Sequence, residues 1–309
     1  MTDRRPGPGR SPVRVDAHLH LSRWWPDIRR TGYRPDLDYS VAGLLVEMDR
    51  AGIDFALAIQ LFQVPNEEAA RAEGAATLAA SGGRLVPVAT VDPTQGEASV
   101  AESVRHLEAD RSVVGVKLFP GYRPFYPHDA RLGPVYELAR RRRFPVLIHQ
   151  GDTLDGQGLL KFARPLELDE VAGRYRDVTF VLCHLGNPWI DEAAEVVYKN
   201  PNVYADTSGL FPPASARYFE RAVERCRERI YDAVVTTGAP ERFLHGSDWP
   251  LEDLALAARQ IEALDLPVDD RAGILGGNAQ RLFRLPDRPA RSARSTTPGD
   301  PKRPPKAPR

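Results

Sequence analysis

The 309-residue chain is 42% apolar and carries 42 basic against 42 acidic side chains, enough for one large α/β domain with a sizeable core. No apolar run approaches the ~20 residues that cross a bilayer, and the charged, proline-containing start "MTDRRPGPGRSPVR" lacks the apolar segment of a secretory signal. Two cysteines, Cys183 and Cys226, argue against a disulfide framework and for a reducing compartment, so a cytoplasmic protein is expected.

The charge is unevenly spread. Residues 1–14 hold a net +3 and residues 286–309 a net +5, which leaves −8 on the body between them. The Pro-, Ser- and Arg-rich ends cannot bury enough surface to fold. Disordered tails are expected over 1–12 and 286–309, flanking one domain over 13–285. An acidic body without a basic patch argues against nucleic-acid binding as the main function, and neither nucleic acid nor membrane is expected as a partner.

Eight β-rich runs follow in chain order: "VRVDAHLH" (13–20), "DFALAIQL" (54–61), "RLVPVATVD" (84–92), "SVVGVKLF" (112–119), "FPVLIHQ" (144–150), "VTFVLCHL" (178–185), "NVYADTS" (202–208) and "RFLHGSD" (242–248). They are nearly continuously apolar, as strands covered on both faces must be. Helical spacing fills the intervals, in 40–52, 132–143, 215–230 and 251–265 among others. Eight strand–helix units predict a single-domain α/β fold, a closed (β/α)8 TIM barrel. A doubly wound open sheet is the alternative, but no glycine-rich phosphate loop follows the first strand. A last helix is predicted from Asn278, as N-cap, after a tight turn at Gly276 and Gly277.

In a strand, residues i and i+2 share a face. His18 and His20 therefore project side by side, either towards one metal ion or, with nothing to join them, as two solvated histidines. The other strands decide between these readings, because barrels of this kind carry function at the C-terminal ends of their strands. There strand 1 presents Asp16, His18 and His20, strand 4 Lys117, strand 5 His149, strand 6 His184 and strand 8 Asp248. Four of the seven histidines fall at these ends. A catalytic zinc takes about three N/O ligands and keeps a place for water, whose pKa it lowers to ~7. His18, His20 and His149 supply nitrogen for such a site and Asp248 oxygen. Asp248 is also placed to take the water's proton. His184 is placed to orient or activate that water or to polarise the scissile group, with Asp16 in support.

These residues stand in "DAHLH", "GVKLFPGY", "PVLIHQGD", "CHLGNPW", "ADTSG", "HGSDWP" and "GNAQRLF". In order and spacing, over residues 13–285, the set resembles the amidohydrolase superfamily, in its amidohydrolase-related branch of metal-dependent TIM-barrel hydrolases and decarboxylases. The resemblance implies one divalent metal on His18, His20, His149 and Asp248, with His184 beside it. Zinc is expected first, and Mn, Fe or Co suit the same donors. In some relatives a strand-4 lysine is carbamylated and bridges two metals. For Lys117 the other readings are a hold on a substrate carboxylate, a pair with Asp248, or a lysine snorkelling at a strand end. A mononuclear site is preferred. Catalytic roles fall to Asp248, His184 and Lys117.

Trp24 and Trp25 after strand 1, and Tyr122, Phe125 and Tyr126 after strand 4, are candidates to wall an aromatic or cyclic small-molecule substrate. Arg123 reads first as solvated and second as an anion anchor, Asp152 as a loop cap, and Asp206 on strand 7 points towards the mouth only in one strand register. His106, His128 and His245 read as surface or supporting residues. Cys183, next to His184, is expected to face the helices. The preferred function is hydrolysis of an amide, lactone or ester by metal-activated water, since "QGD" follows His149. Non-oxidative decarboxylation of an aromatic or unsaturated acid is the runner-up, and a non-catalytic ligand-binding barrel the third reading. Barrels of this type often pair, so a homodimer is expected.

Overall fold

The computed structural model describes residues 12–20, 34, 37–59, 75, 76, 78–154 and 156–287. The tails expected at either end lie almost wholly outside these residues, as do Trp24 and Trp25. Eight parallel strands form one sheet in sequence order. They are β1 (Val15–His20), β2 (Phe55–Ile59), β3 (Leu85–Thr90), β4 (Gly115–Leu118), β5 (Val146–Ile148), β6 (Phe180–Leu182), β7 (Val203–Asp206) and β8 (Phe243–Leu244). The ring closes between β8 and β1. His245 O accepts from Ala17 N, His18 O from Asp248 N and Trp249 O from His20 N, each at 2.8 Å. With helices between the strands, this is the (β/α)8 barrel that the alternation predicts.

Among the described residues the outer helices are α1 (Val41–Ala51), α2 (Glu97–Ala109), α3 (Gly133–Arg142), α4 (Leu166–Arg174), α5 (Ile190–Lys199), α6 (Phe219–Thr237) and α7 (Leu254–Glu262). Their ends follow local chemistry. Ser40 caps α1 by accepting from Gly43 N, and Gly52 ends it in the left-handed region at φ 68°. Asp253 caps α7 through Leu256 N.

Each strand serves two cores. Phe55, Leu57 and Ile59 of β2, with Leu147, Val181 and Leu244, fill the barrel interior. Val116, Leu118, Val146, Ile148, Phe180 and Leu182 point outward and pack against helix residues such as Leu138, Val171 and Val197. This double burial explains why the strands read as continuous apolar runs.

The last helix begins at Asn278, as expected. α8 (Val268–Ala272) runs through a π-helical turn at Gly273–Gly277, kinked at Gly276, into α9 (Asn278–Leu282). Gly276 is needed for close approach, since a Cβ there would lie 2.1 Å from Val13 O. Asn278 is not an N-cap. Its amide donates to Pro240 O and Phe243 O, tying α9 to the start of β8.

Candidate functional site

The alternation of β1 is broken before it reaches the mouth. Asp16 pairs with Ala56 but Leu19 with Ala58, so β1 holds one residue more than β2 over this stretch. This β-bulge turns Val15 and Ala17 inward below it and His18 and His20 inward above it. Asp16 lies beneath, fully buried. It accepts from His18 N at 3.0 Å and Ser247 N at 3.1 Å, and burial pushes its carboxyl up to about 7.

Asp248 reaches the same point from β8. Its backbone is left-handed, at φ 57°, a conformation unfavourable to an aspartate unless its surroundings fix it. Its Oδ1 lies 3.1 Å from His20 Nε2 and 3.6 Å from His18 Nε2. The ligand atoms of His18, His20 and Asp248 all lie within 4.8 Å of one another. Burial raises the Asp248 carboxyl, but the hydrogen bond with His20 and the nearby His184, His20 and His18 outweigh it. The group is held below the usual carboxylate range.

Asp206, which the sequence placed at the mouth only on condition of strand register, is the hub beneath these ligands. Its Oδ2 lies 2.9 Å from His18 Nδ1. Its Oδ1 accepts from His184 N at 2.9 Å, Ser208 N at 3.1 Å and Ser208 Oγ at 2.5 Å. Burial opposes the charge, but His18 and its hydrogen bond hold the carboxyl well below its ordinary value. Because Asp206 accepts from Nδ1–H, His18 presents the lone pair of Nε2 to the site. Burial, then Lys117, keeps His18 neutral by lowering its pKa.

His184 enters through a second irregularity. Val181 and Cys183 point into the barrel, so strict alternation would send His184 towards the helices. The chain instead turns left-handed at His184 (φ 59°) and Leu185 (φ 46°), and the imidazole swings into the mouth. Its ring centroid lies 4.7 Å from that of His18 and 4.8 Å from that of His149. The expectation that Cys183 faces the helices is therefore corrected: both neighbours face inward. His184 Nδ1 donates to the Ser208 carbonyl at 3.2 Å, leaving Nε2 as acceptor, and burial lowers its pKa to about 3.

His149 belongs to neither group of converging ligand atoms, which are His18, His20 and Asp248, and His18, His184 and Asp206. Its Nε2–H donates to the Asp152 carbonyl at 2.9 Å, which leaves Nδ1 as its lone-pair atom. Asp152 thus contributes its main chain to the site. Burial, then His184 and Lys117, lowers the His149 pKa well below its usual value. Lys117 is fully buried and does not snorkel. Its Nζ lies 3.3 Å from His18 Nε2 and 5.1 Å from the Phe119 ring centroid. Among the described residues it forms no ion pair with Asp248.

Aromatic walls are set by Phe119 and Tyr122. Tyr122 meets His149 edge-on at 4.7 Å, and the Phe119 ring lies 6.2 Å from that of His20. The sequence reading missed Phe119, which is the last residue of the run that carries Lys117. Phe125 belongs to the outer core, and Tyr126 stacks on His128 and packs against Phe162. Arg123 pairs with Asp92 at 2.9 Å. His245 is fully buried, not on the surface. Both cysteines are free thiols, and no described helix is long and apolar enough to cross a membrane.

Imidazole lone pairs aimed inward beside an ionised carboxylate form a donor set that fits a divalent first-row metal. The tautomers are already fixed from behind, by Asp206 for His18 and by the Asp152 carbonyl for His149, as metal-binding histidines require.

Comparison with known proteins extends this picture. The chain is 30% identical over 201 residues to gamma-resorcylate decarboxylase of Polaromonas sp., covering 52% of this chain and 57% of that protein. It is 28% identical over 151 residues to L-fucono-1,5-lactonase of Burkholderia multivorans, covering 42% and 51%. The chain thus spans little more than half the length of these two relatives. Among solved structures, a zinc-bound amidohydrolase from Burkholderia multivorans superposes with a TM-score of 0.65 at 18% identity, over 89% of this chain and all of that one. An amidohydrolase family model matches residues 15–285, the whole barrel from the first residue of β1 to the end of the C-terminal helices. With its strand-end histidines and aspartates on that barrel, the chain belongs to the amidohydrolase family.

Proposed function

We propose that this protein is a metal-dependent hydrolase that opens an amide, lactone or ester of a small aromatic or cyclic substrate. The observation that carries the reading is geometric: Asp248, in the ligand cluster, and His184, whose Nδ1 donates to the Ser208 carbonyl and leaves Nε2 as acceptor, both present a proton acceptor at the mouth. In keeping with that role, burial lowers the His184 pKa to about 3 and, against burial, the hydrogen bond with His20 helps hold the Asp248 carboxyl below its ordinary value. Hydrolysis begins by taking a proton from water, which such groups do. Decarboxylation ends by giving a proton to carbon, for which neither is charged in advance.

His18, His20 and Asp248, with His149 adjacent, would hold a divalent metal, which would acidify water and polarise a carbonyl. The chain's own residues do the rest. Asp248 accepts the proton of the attacking water, and His184 Nε2 serves as the second acceptor. Polarisation of the scissile group by His184 is not supported, since the inward nitrogen carries no proton. The Lys117 ammonium is placed to balance negative charge developing on the substrate. Phe119 and Tyr122 offer flat apolar faces to a ring. Free thiols at Cys183 and Cys226 support a reducing, cytoplasmic location.

A decarboxylase is the second reading, favoured by the 30% identity to gamma-resorcylate decarboxylase. A substrate panel in 18O-labelled water separates the two. Hydrolysis places the label in the organic product. Release of carbon dioxide from hydroxybenzoate-like acids, with no turnover of lactones, esters or amides, would overturn the hydrolase reading.

A further inference from the structure

The loop after β8 carries a second buried carboxylate, Glu252, which is 5% exposed. It accepts from the backbone N–H groups of Phe211 and Gly209, in the loop after β7. Between these residues, the Leu210 carbonyl accepts from the Cys226 thiol of α6 at 2.9 Å. Just before them, Ser208 donates its N–H and hydroxyl to Asp206. The peptide groups of the Ser208–Phe211 turn are thus held one after another by side chains from three elements. Glu252 is itself tied from outside, where Arg34 donates to its carbonyl at 3.2 Å and to Asp253 at 3.2 Å.

The turn is held against the candidate catalytic pair. Gly209 is left-handed at φ 68°, and a Cβ there would lie 2.9 Å from His184 Nδ1 and 3.1 Å from Asp248 Oδ2. Only a bare backbone fits this close to both groups. A carboxylate buried merely to cap a loop needs no such neighbour.

We propose that Glu252 is a positioning residue that, through the Ser208–Phe211 turn, seats the Gly209 backbone on Asp248 and His184 and so fixes how Asp248 faces the His18–His20 pair. The inference rests on the reading of Asp248 as a metal ligand.

Two readouts test it, neither of them turnover. One is the visible spectrum of Co2+ titrated into metal-free protein, which reports ligand geometry. The other is the rate at which Cys226, half-buried on the clamp, reacts with a thiol reagent; Cys183 is sealed inside the barrel, and Cys226→Ser provides the blank. Glu252→Ala is expected to alter the Co2+ spectrum and weaken Co2+ binding about tenfold, and to speed Cys226 labelling about tenfold. Glu252→Gln keeps the acceptor oxygen and is expected to match the wild type in both. Gly209→Ala, which leaves Glu252 in place, is expected to change the spectrum even if Glu252→Ala fails to fold. A folded Glu252→Ala protein with unchanged spectrum and labelling rate, a Glu252→Gln protein as impaired as Glu252→Ala, or an unchanged spectrum in Gly209→Ala would each overturn the proposal. A wild type that binds no Co2+ would sink the metal reading instead, and the labelling rates would still decide the clamp.

Discussion

Asp206 is fully buried and accepts from four groups, one imidazole, two backbone amides and one hydroxyl. Its role is to decide which nitrogen His18 offers. Asp206→Asn keeps the shape but replaces an acceptor by an amide that can turn a donor towards Nδ1–H. Metal affinity is expected to fall about 10- to 100-fold with the fold retained, as read by metal titration beside circular dichroism. Asp248→Asn separates ligation from proton transfer. It is expected to keep most of the metal while turnover falls ~10²–10⁴-fold. Near-normal kcat in metal-loaded Asp248→Asn would move the base to His184. His18, His20 and Asp248 were legible because histidines and acids recur at strand ends. Asp206 was legible only as a position that depends on register, because one acid in "YAD" carries no spacing and its importance lies in what it accepts. Cys183 was misread in direction, because a left-handed turn at His184 breaks the two-residue period on which the reading relied, while His184 lies at the mouth where it was expected.

At the level of elements, the site depends on places where regular structure is interrupted. The bulge in β1 re-aims His18 and His20, and the strained turns after β6 and β8 deliver His184 and Asp248. The loop after β5 is equally constrained. Gly151 is at φ 102°, and a Cβ there would lie 2.2 Å from Asn187 O. Gly151→Ala should therefore combine left-handed strain with a backbone clash and cost at least about 2 kcal/mol. A denaturant midpoint lowered at constant slope is the expected result, and an unchanged midpoint would mean that the two loops are not packed as described. Helix α1 was legible almost to the residue because Ser40 and Gly52 are chemical stop signs. The start of the last helix at Asn278 was legible too, but not the role of that residue, which has the composition of a cap and spends its amide on β8.

Over the whole molecule, four buried histidines dominate the response to pH. Burial is the chief cause that lowers the pKa of His18, His149, His184 and His245, the last two to about 3. Between these values and ~6.5 the unfolded chain binds protons that the folded chain refuses, so stability rises with pH across that window. Each such histidine contributes up to about 1.4 kcal/mol per pH unit. Asp16 and Glu252, both raised by burial, act in the opposite sense, but they are two against four. Below about pH 4 the depressed Asp206 and Asp248 add to the loss. The melting temperature of metal-free protein is expected to fall steadily from pH 6.5 to pH 4. A flat or rising profile would mean that these imidazoles are solvated. The barrel itself was legible because each strand is buried on both faces and each is followed by a helix. The convergence of its strand ends on one metal is the claim from which the chemistry follows, and elemental analysis of purified protein tests it most directly. About one divalent metal per chain is expected in the wild type and none in the His18→Ala, His20→Ala double variant; full occupancy in that folded variant, or a wild type that holds no metal after loading, would contradict it.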